Sequence, residues 1–223
     1  MPGSVGRVSS TPTSDPAGQP VRQPRGEARR RAVLEAVLRV VASEGIRGVT
    51  HRSVAAEAGT SLRATTYYFS SKEDLLDQAL VHYVDERIAR VEEAGAALTR
   101  NGPLSVARAA ELLAAFVADE LTAGHARLVA EYELALEATR SATLAANYAR
   151  FREALIGLLT ALAAAAGSAQ PELDAHLILA AVRGIELDAL TRPGGVDPAL
   201  VDEQCRRLVE ALLPGPDPDD LPC

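Results

Sequence analysis

The chain has no tryptophan, a single methionine, a single lysine and eight aromatic residues in 223. A core built on large rings is therefore excluded, and packing has to come from aliphatic side chains. Runs of β-branched residues are also scarce. The apolar 48% of the chain is dominated by alanine and leucine, which favour helices over sheets. No apolar run approaches the roughly 18–20 residues needed to span a bilayer. The opening MPGSVGRVSSTPTSDPAGQP lacks the apolar centre of a secretory signal. Two cysteines, Cys205 and Cys223, do not make a disulfide framework. Together these absences predict a soluble, cytoplasmic, all-α protein with no membrane partner.

What is present is unevenly distributed. The net charge of −7 alone argues against a polyanionic partner. Residues 1–72, however, hold 11 Lys+Arg against 5 Asp+Glu, a balance of +6, and residues 73–223 carry the compensating −13. A basic module on an acidic body is the pattern of a chain that presents one end to nucleic acid.

Residues 1–25 are rich in Pro, Ser, Gly and Thr without periodicity and read as a disordered extension, with arginines thickening toward Arg31. That arginine stretch is a solvated lead-in to the first helix or an arm laid on the DNA backbone or minor groove. Val33, Val37, Val40 and Val41 then recur at helical spacing, and Gly45 marks a stop. Thr50 and Ser61 are placed to cap two short helices, HRSVAAEA and LRATTYYF, separated by Gly59. Ser70 with Glu73 fits a capping box for a long helix that runs to a break at Gly95. Further helices are expected at about 104–121, 125–139, 142–166, 172–191 and 198–213, nine in all. The proline-rich tail 214–223 reads as disordered.

Two short helices around Gly59 form a helix-turn-helix pattern, whose second helix enters a major groove. Arg63 has the fork to pair with a guanine edge, and Thr65 and Thr66 offer hydroxyl and methyl groups. Tyr67 and Tyr68 offer phenols to phosphate oxygens. Lys72, beside the free N–H groups of a helix start, is a further phosphate site. Phe69 and Val54 read as core. His51, next to a cap, reads equally as solvated or as a phosphate contact.

The stretch RRRAVLEAVLRVVASEGIRGVTHRSVAAEAGTSLRATTYYFSSKEDLL resembles the N-terminal domain of the tetracycline-repressor (TetR) family. The Gly45–Thr50 spacing, VAAEAG at 54–59, Ser61, Tyr67–Tyr68–Phe69 and SKEDLL at 71–76 carry the similarity. The resemblance implies a DNA-binding domain over 26–72 and a ligand-binding and dimerisation domain over 73–213. It implies a homodimer on a palindromic double-stranded operator, released by a small-molecule effector, most simply a repressor. It also implies DNA contacts at Arg52, Ser61, Arg63, Thr65, Thr66, Tyr67, Tyr68 and Lys72. The family commonly has Gly or Pro where Arg63 stands, Tyr in place of Thr66 and His in place of Tyr68. Operator preference is expected to be set at these three departures.

In the body, HLILAAVRGIELDAL is apolar almost all round, and Ala180, Ala181 and Gly184 leave room for a close helix. With Val201, Cys205, Leu208 and Leu212 of the last helix they form the expected four-helix dimer interface. Tyr83, Phe116, Tyr132, Tyr148, Phe151 and His176 are the candidate effector contacts, with Glu131 and Arg183 as polar anchors. Scarcity of aromatics argues against a stacked cage for planar cations. No cofactor or metal is expected. Glu172 and His176 lie four apart on a helix without a second ligand pair. No HExxH, GxSxG, P-loop or GxGxxG motif supports an enzyme. The alternative reading is a DNA-organising or division-linked protein of the same fold.

Overall fold

A computed structural model describes residues 24–101, 104–122 and 124–213. The described residues form nine α-helices and no strand. They are α1 (Pro24–Gly48), α2 (His51–Glu57), α3 (Leu62–Tyr68), α4 (Lys72–Asn101) and α5 (Val106–Leu121), followed by α6 (His125–Ala138), α7 (Ala142–Ala165), α8 (Pro171–Thr191) and α9 (Pro198–Leu212). Most of the proposed N-terminal extension, including Arg22, and the tail with Cys223 lie outside the described residues. None of these helices is long and apolar enough to cross a membrane.

Helix ends follow side-chain chemistry. Thr50 caps α2 by accepting from Ser53 N, and Ser53 returns the bond to the Thr50 backbone. The helix closes with Gly59 in the left-handed region, φ 60°. There Gly59 N–H bonds Ala56 O at 3.2 Å and Thr60 N–H bonds Ala55 O at 2.9 Å, a Schellman ending. Gly45 also takes a positive φ, 69°, with non-helical backbone, and marks the expected stop by dividing α1 into two helical stretches across a kink. The expected break at Gly95 does not occur. α4 runs on to Asn101, about 45 Å at 1.5 Å per residue, because one glycine in a helix interior costs only about 1 kcal/mol. The cap of α4 is Ser71, one residue later than expected: its Oγ accepts from Asp74 N at 3.1 Å, and Asp74 accepts from Ser70 N at 2.7 Å.

Two apolar clusters make the core. The first joins Val33, Val37, Val40, Val54 and Phe69 to Leu76, Leu80 and Tyr83 of α4, Leu134 of α6 and Phe151 of α7. It therefore runs across the boundary placed at 72–73, binding α1–α3 to the body without an apolar seam. The second joins α5, the C-terminal half of α7, α8 and α9. Val201 and Cys205 are fully buried within it, so they face α5 of their own chain and are unavailable to a partner. This corrects their assignment to a dimer interface: α9 needs an inward face before it can offer an outward one.

Candidate nucleic-acid interface and effector cavity

The α2–α3 unit presents one exposed side chain after another along α3. Arg63 and Thr66 are exposed, and Tyr67 is 81% exposed. Arg52 projects from the first turn of α2 and is likewise exposed. Neither Arg52 nor Arg63 has a carboxylate partner among the described residues, whereas Arg39 is held by Glu57 at 2.5 Å. The exposed arginines thus keep their guanidinium groups for an external anion.

Three expected contacts play other parts. Thr65 is fully buried, and its hydroxyl donates to Leu62 O at 2.8 Å; it packs α3 onto the unit and does not face the groove. Ser61 is the cap of α3, accepting from Ala64 N at 3.2 Å. Tyr68 is half-buried against the first core cluster, its ring 5.0 Å from Tyr67 in an edge-on pair. A Cβ on Gly26 would lie 3.6 Å from its hydroxyl, so Tyr68 tucks under the start of α1. Thr66 is exposed, but its hydroxyl donates back to Leu62 O at 3.1 Å, which leaves the methyl as its outward group.

Lys72 opens α4, but the N–H groups around it are engaged. Ser70 N and Asp74 N are bonded by Asp74 and Ser71. Glu73 is held below its ordinary pKa by backbone N–H and by Ser71. Burial raises Asp74, but bonds from Gln78 and Ser70 outweigh it and hold the carboxyl low. Two carboxylates already answer the helix dipole, so the N–H groups at this helix start are not open to an external anion.

His51 has a role that the sequence did not disclose. Its Nε2–H donates to Phe69 O at 3.0 Å, tying the start of α2 to the end of α3. Phe69, 1% exposed, sits beneath the Arg30 guanidinium at 5.8 Å. The C-terminal end of α3 is therefore held from two sides, by α2 and by α1.

Profiles of two families match the chain. "Bacterial regulatory proteins, tetR family" matches residues 33–79, and "Tetracyclin repressor-like, C-terminal domain" matches residues 104–215. The chain belongs to the TetR family. Among solved structures, a TetR-family member from Streptomyces coelicolor A3 is 32% identical with TM-score 0.62, covering 81% of this chain and 97% of its own. A transcriptional regulator from Rhodococcus sp. Rha1 is 27% identical with TM-score 0.67, covering 82% and 95%. The multidrug binding protein EbrR, complexed with ethidium, is 33% identical with TM-score 0.59, covering 81% and 98%. No curated protein sequence matches significantly. The TetR family consists of DNA-binding regulators that respond to ligands, not of enzymes.

In this TetR-family chain the body holds a partly open cavity of about 420 Å³ between α4, α5, α7 and α8. Leucines make most of its wall, among them Leu98, Leu112, Leu155, Leu158 and Leu179, with Phe116 the one aromatic ring. Of the expected effector contacts Phe116 and the polar anchor Arg183 line it. Tyr83 and Phe151 are core residues packed edge to face at 5.9 Å, and Tyr148 packs on Phe151 at 6.2 Å. Tyr132 stands behind the wall, donating to Glu186 at 2.8 Å. His176 is exposed on α8, its ring bonded to Glu172 O at 2.8 Å. Large aromatics fill core volume, so their identity alone does not mark a cavity.

The polar lining is Arg87, Arg108, Arg183 and Glu186. Arg87 and Glu120 are a buried pair, 5% and 3% exposed. Arg183 bonds Glu131 and lies 3.2 Å from Glu186. Glu131 also accepts from the Tyr83 hydroxyl, so it anchors Arg183 from outside the lining. Burial pushes Glu186 above the ordinary glutamate value despite Arg183 and Tyr132. Arg87 was legible in principle: it interrupts the apolar stripe of α4 four residues from Tyr83 and four from Val91.

A second polar cluster joins the two parts of the chain. Glu35 of α1, His82 and Glu86 of α4 bring ligand-type atoms within 4.8 Å of one another. Arg127 of α6 bonds both carboxylates, so a guanidinium already answers their charge.

Proposed function

We propose that the chain is a homodimeric transcriptional repressor that grips a palindromic operator with α3 and lets go when a small molecule enters the cavity. The carrying observation is the row of exposed Arg52, Arg63 and Tyr67 beside Lys72, the two arginines without a carboxylate partner among the described residues, on a unit whose second helix is held at its C-terminal end. Arg63 reads a guanine edge, the Thr66 methyl meets a thymine, and Lys72 and Tyr67 hold phosphates. Tyr68 contributes through its position under α1.

Pairing uses the outer faces of α8 and α9. Leu173, Leu177 and Leu187 are 53%, 45% and 52% exposed, with Ala180 and Gly184 exposed between them. A side chain at Gly184 would meet nothing within 4 Å, so a second helix can approach there. Half-buried Leu208 and Leu212 extend the patch, an apolar surface of the kind that marks an interface. Binding in the cavity of a ligand that favours a different spacing of the two reading heads lowers operator affinity.

Selecting bound sequences from a random DNA pool tests this reading. The expected winner is a palindrome bound by two chains, with half-sites about one helical turn apart. Enrichment without symmetry, or sites scattered evenly through a genome, favours the DNA-organising alternative and sinks the repressor.

A further inference from the structure

The chemistry of the cavity wall narrows the class of effector, an inference that rests on the regulatory reading above. Among the described residues each charged side chain at the wall pairs with an opposite charge of the protein, although the Arg87 Nε–H is buried without a hydrogen-bond partner. Arg87 faces Glu120 and Arg183 lies between Glu131 and Glu186, both buried, while Arg108 at the rim forms an exposed pair with Glu111 at 2.7 Å. Glu186 also takes the Tyr132 hydroxyl at 2.8 Å. The single lining ring is taken too, since the Arg87 guanidinium sits 5.4 Å from the centroid of Phe116.

A planar cation needs an unpaired carboxylate or a free aromatic face, and an anion needs an unpaired guanidinium. An ion entering this cavity would lose its hydration without gaining a counter-charge. We propose that the effector is an uncharged lipophile, a hydrocarbon body with one hydroxyl or carbonyl head, and not a permanent ion. The body lies along Leu98, Leu112, Leu158 and Leu179. A hydroxyl head is matched to the end where Arg183 donates and Glu186 accepts. In this respect the chain differs from EbrR, whose structures hold ethidium and proflavin, both planar aromatic cations.

The test is calorimetric titration of the DNA-free protein with decanol, decanoate and decyltrimethylammonium, which share a chain and differ in head charge. Decanol is expected to bind at least about ten-fold more tightly than either ion. Equal or tighter binding of an ion, or no binding of decanol, overturns the proposal. Ala97→Phe and Leu112→Trp each fill the cavity, and each is checked for helix content by circular dichroism. Decanol binding that survives in a folded variant places the site elsewhere and also overturns it. Operator binding is measured separately: binding of decanol without operator release leaves the ligand class standing and removes only the regulatory reading.

Discussion

Arg127 of α6 donates to Glu35 of α1 at 2.9 Å while also bonding Glu86 of α4. One guanidinium thus joins the helix that supports the reading unit to the two helices of the body that it packs against. His82 bonds Glu35 at 2.7 Å in the same cluster. Burial opposes the Arg127 charge, but Glu86 and Glu35 outweigh it and raise its pKa. Arg127→Met keeps the hydrocarbon stem and removes the charge. With the site part-exposed, a loss of about 1 kcal/mol is expected, lowering Tm by about 2–4 °C. The deficit should shrink in high salt as screening weakens the wild-type network. A salt-independent deficit would show that the stem, not the charge, matters.

His51→Ala removes the donor to Phe69 O and leaves that carbonyl without its partner. The expected cost is about 1–3 kcal/mol in urea unfolding, together with weaker operator binding, because α3 is no longer tied to α2. Loss of stability with unchanged operator affinity would separate the tie from DNA recognition.

On α3, the exposed and buried residues should respond differently. Arg63→Ala is expected to cost about 1–3 kcal/mol of operator binding and relax preference at one base step. Lys72→Ala should weaken all sequences alike and reduce the salt slope by about one. Thr65→Val, at a fully buried site, should leave base preference untouched. A change of preference in Thr65→Val, measured by competition between operator variants, would place that residue in the groove after all.

Glu186 links stability to pH. Its folded pKa lies above the ordinary value because burial disfavours the carboxylate. The folded state therefore holds the proton more tightly than the unfolded chain. The stabilising contribution is complete below the ordinary glutamate range and is lost as pH rises through the folded value. Glu186→Gln is neutral throughout, so its stability relative to wild type should rise between pH 4 and pH 8. Urea unfolding of both proteins across that range checks the sign; a relative fall would mean that Arg183 outweighs burial.

Cys205 is buried, and burial pushes its thiol up to about 11. Because the thiolate is the nucleophile, the folded protein should resist iodoacetamide at this position at neutral pH and react once unfolded. Mass mapping of the labelled peptide decides it. Labelling of Cys205 at the rate of an unfolded control would contradict its place in the core.

The helical segments were legible in the residues alone, since apolar spacing, caps at Thr50 and Ser61 and the glycine at 59 are local and each leaves a mark in neighbouring residues. The sequence also singled out Arg63, Thr66 and Tyr67, which are exposed on α3, because a helix-turn-helix is assembled within about twenty residues. It misjudged Gly95, where packing along α4 overrides a weak propensity. It misjudged Thr65 as well, because the inward side of a short helix depends on what lies beneath it. The remainder depended on long-range packing. Glu35 and Arg127 meet across 92 residues of chain, and Val201 and Cys205 turn inward because α9 packs on α5. The cavity is bounded by leucines indistinguishable in sequence from those of the core. Whether a buried aliphatic side chain fills space or borders it depends on how four helices pack, and no local pattern records that.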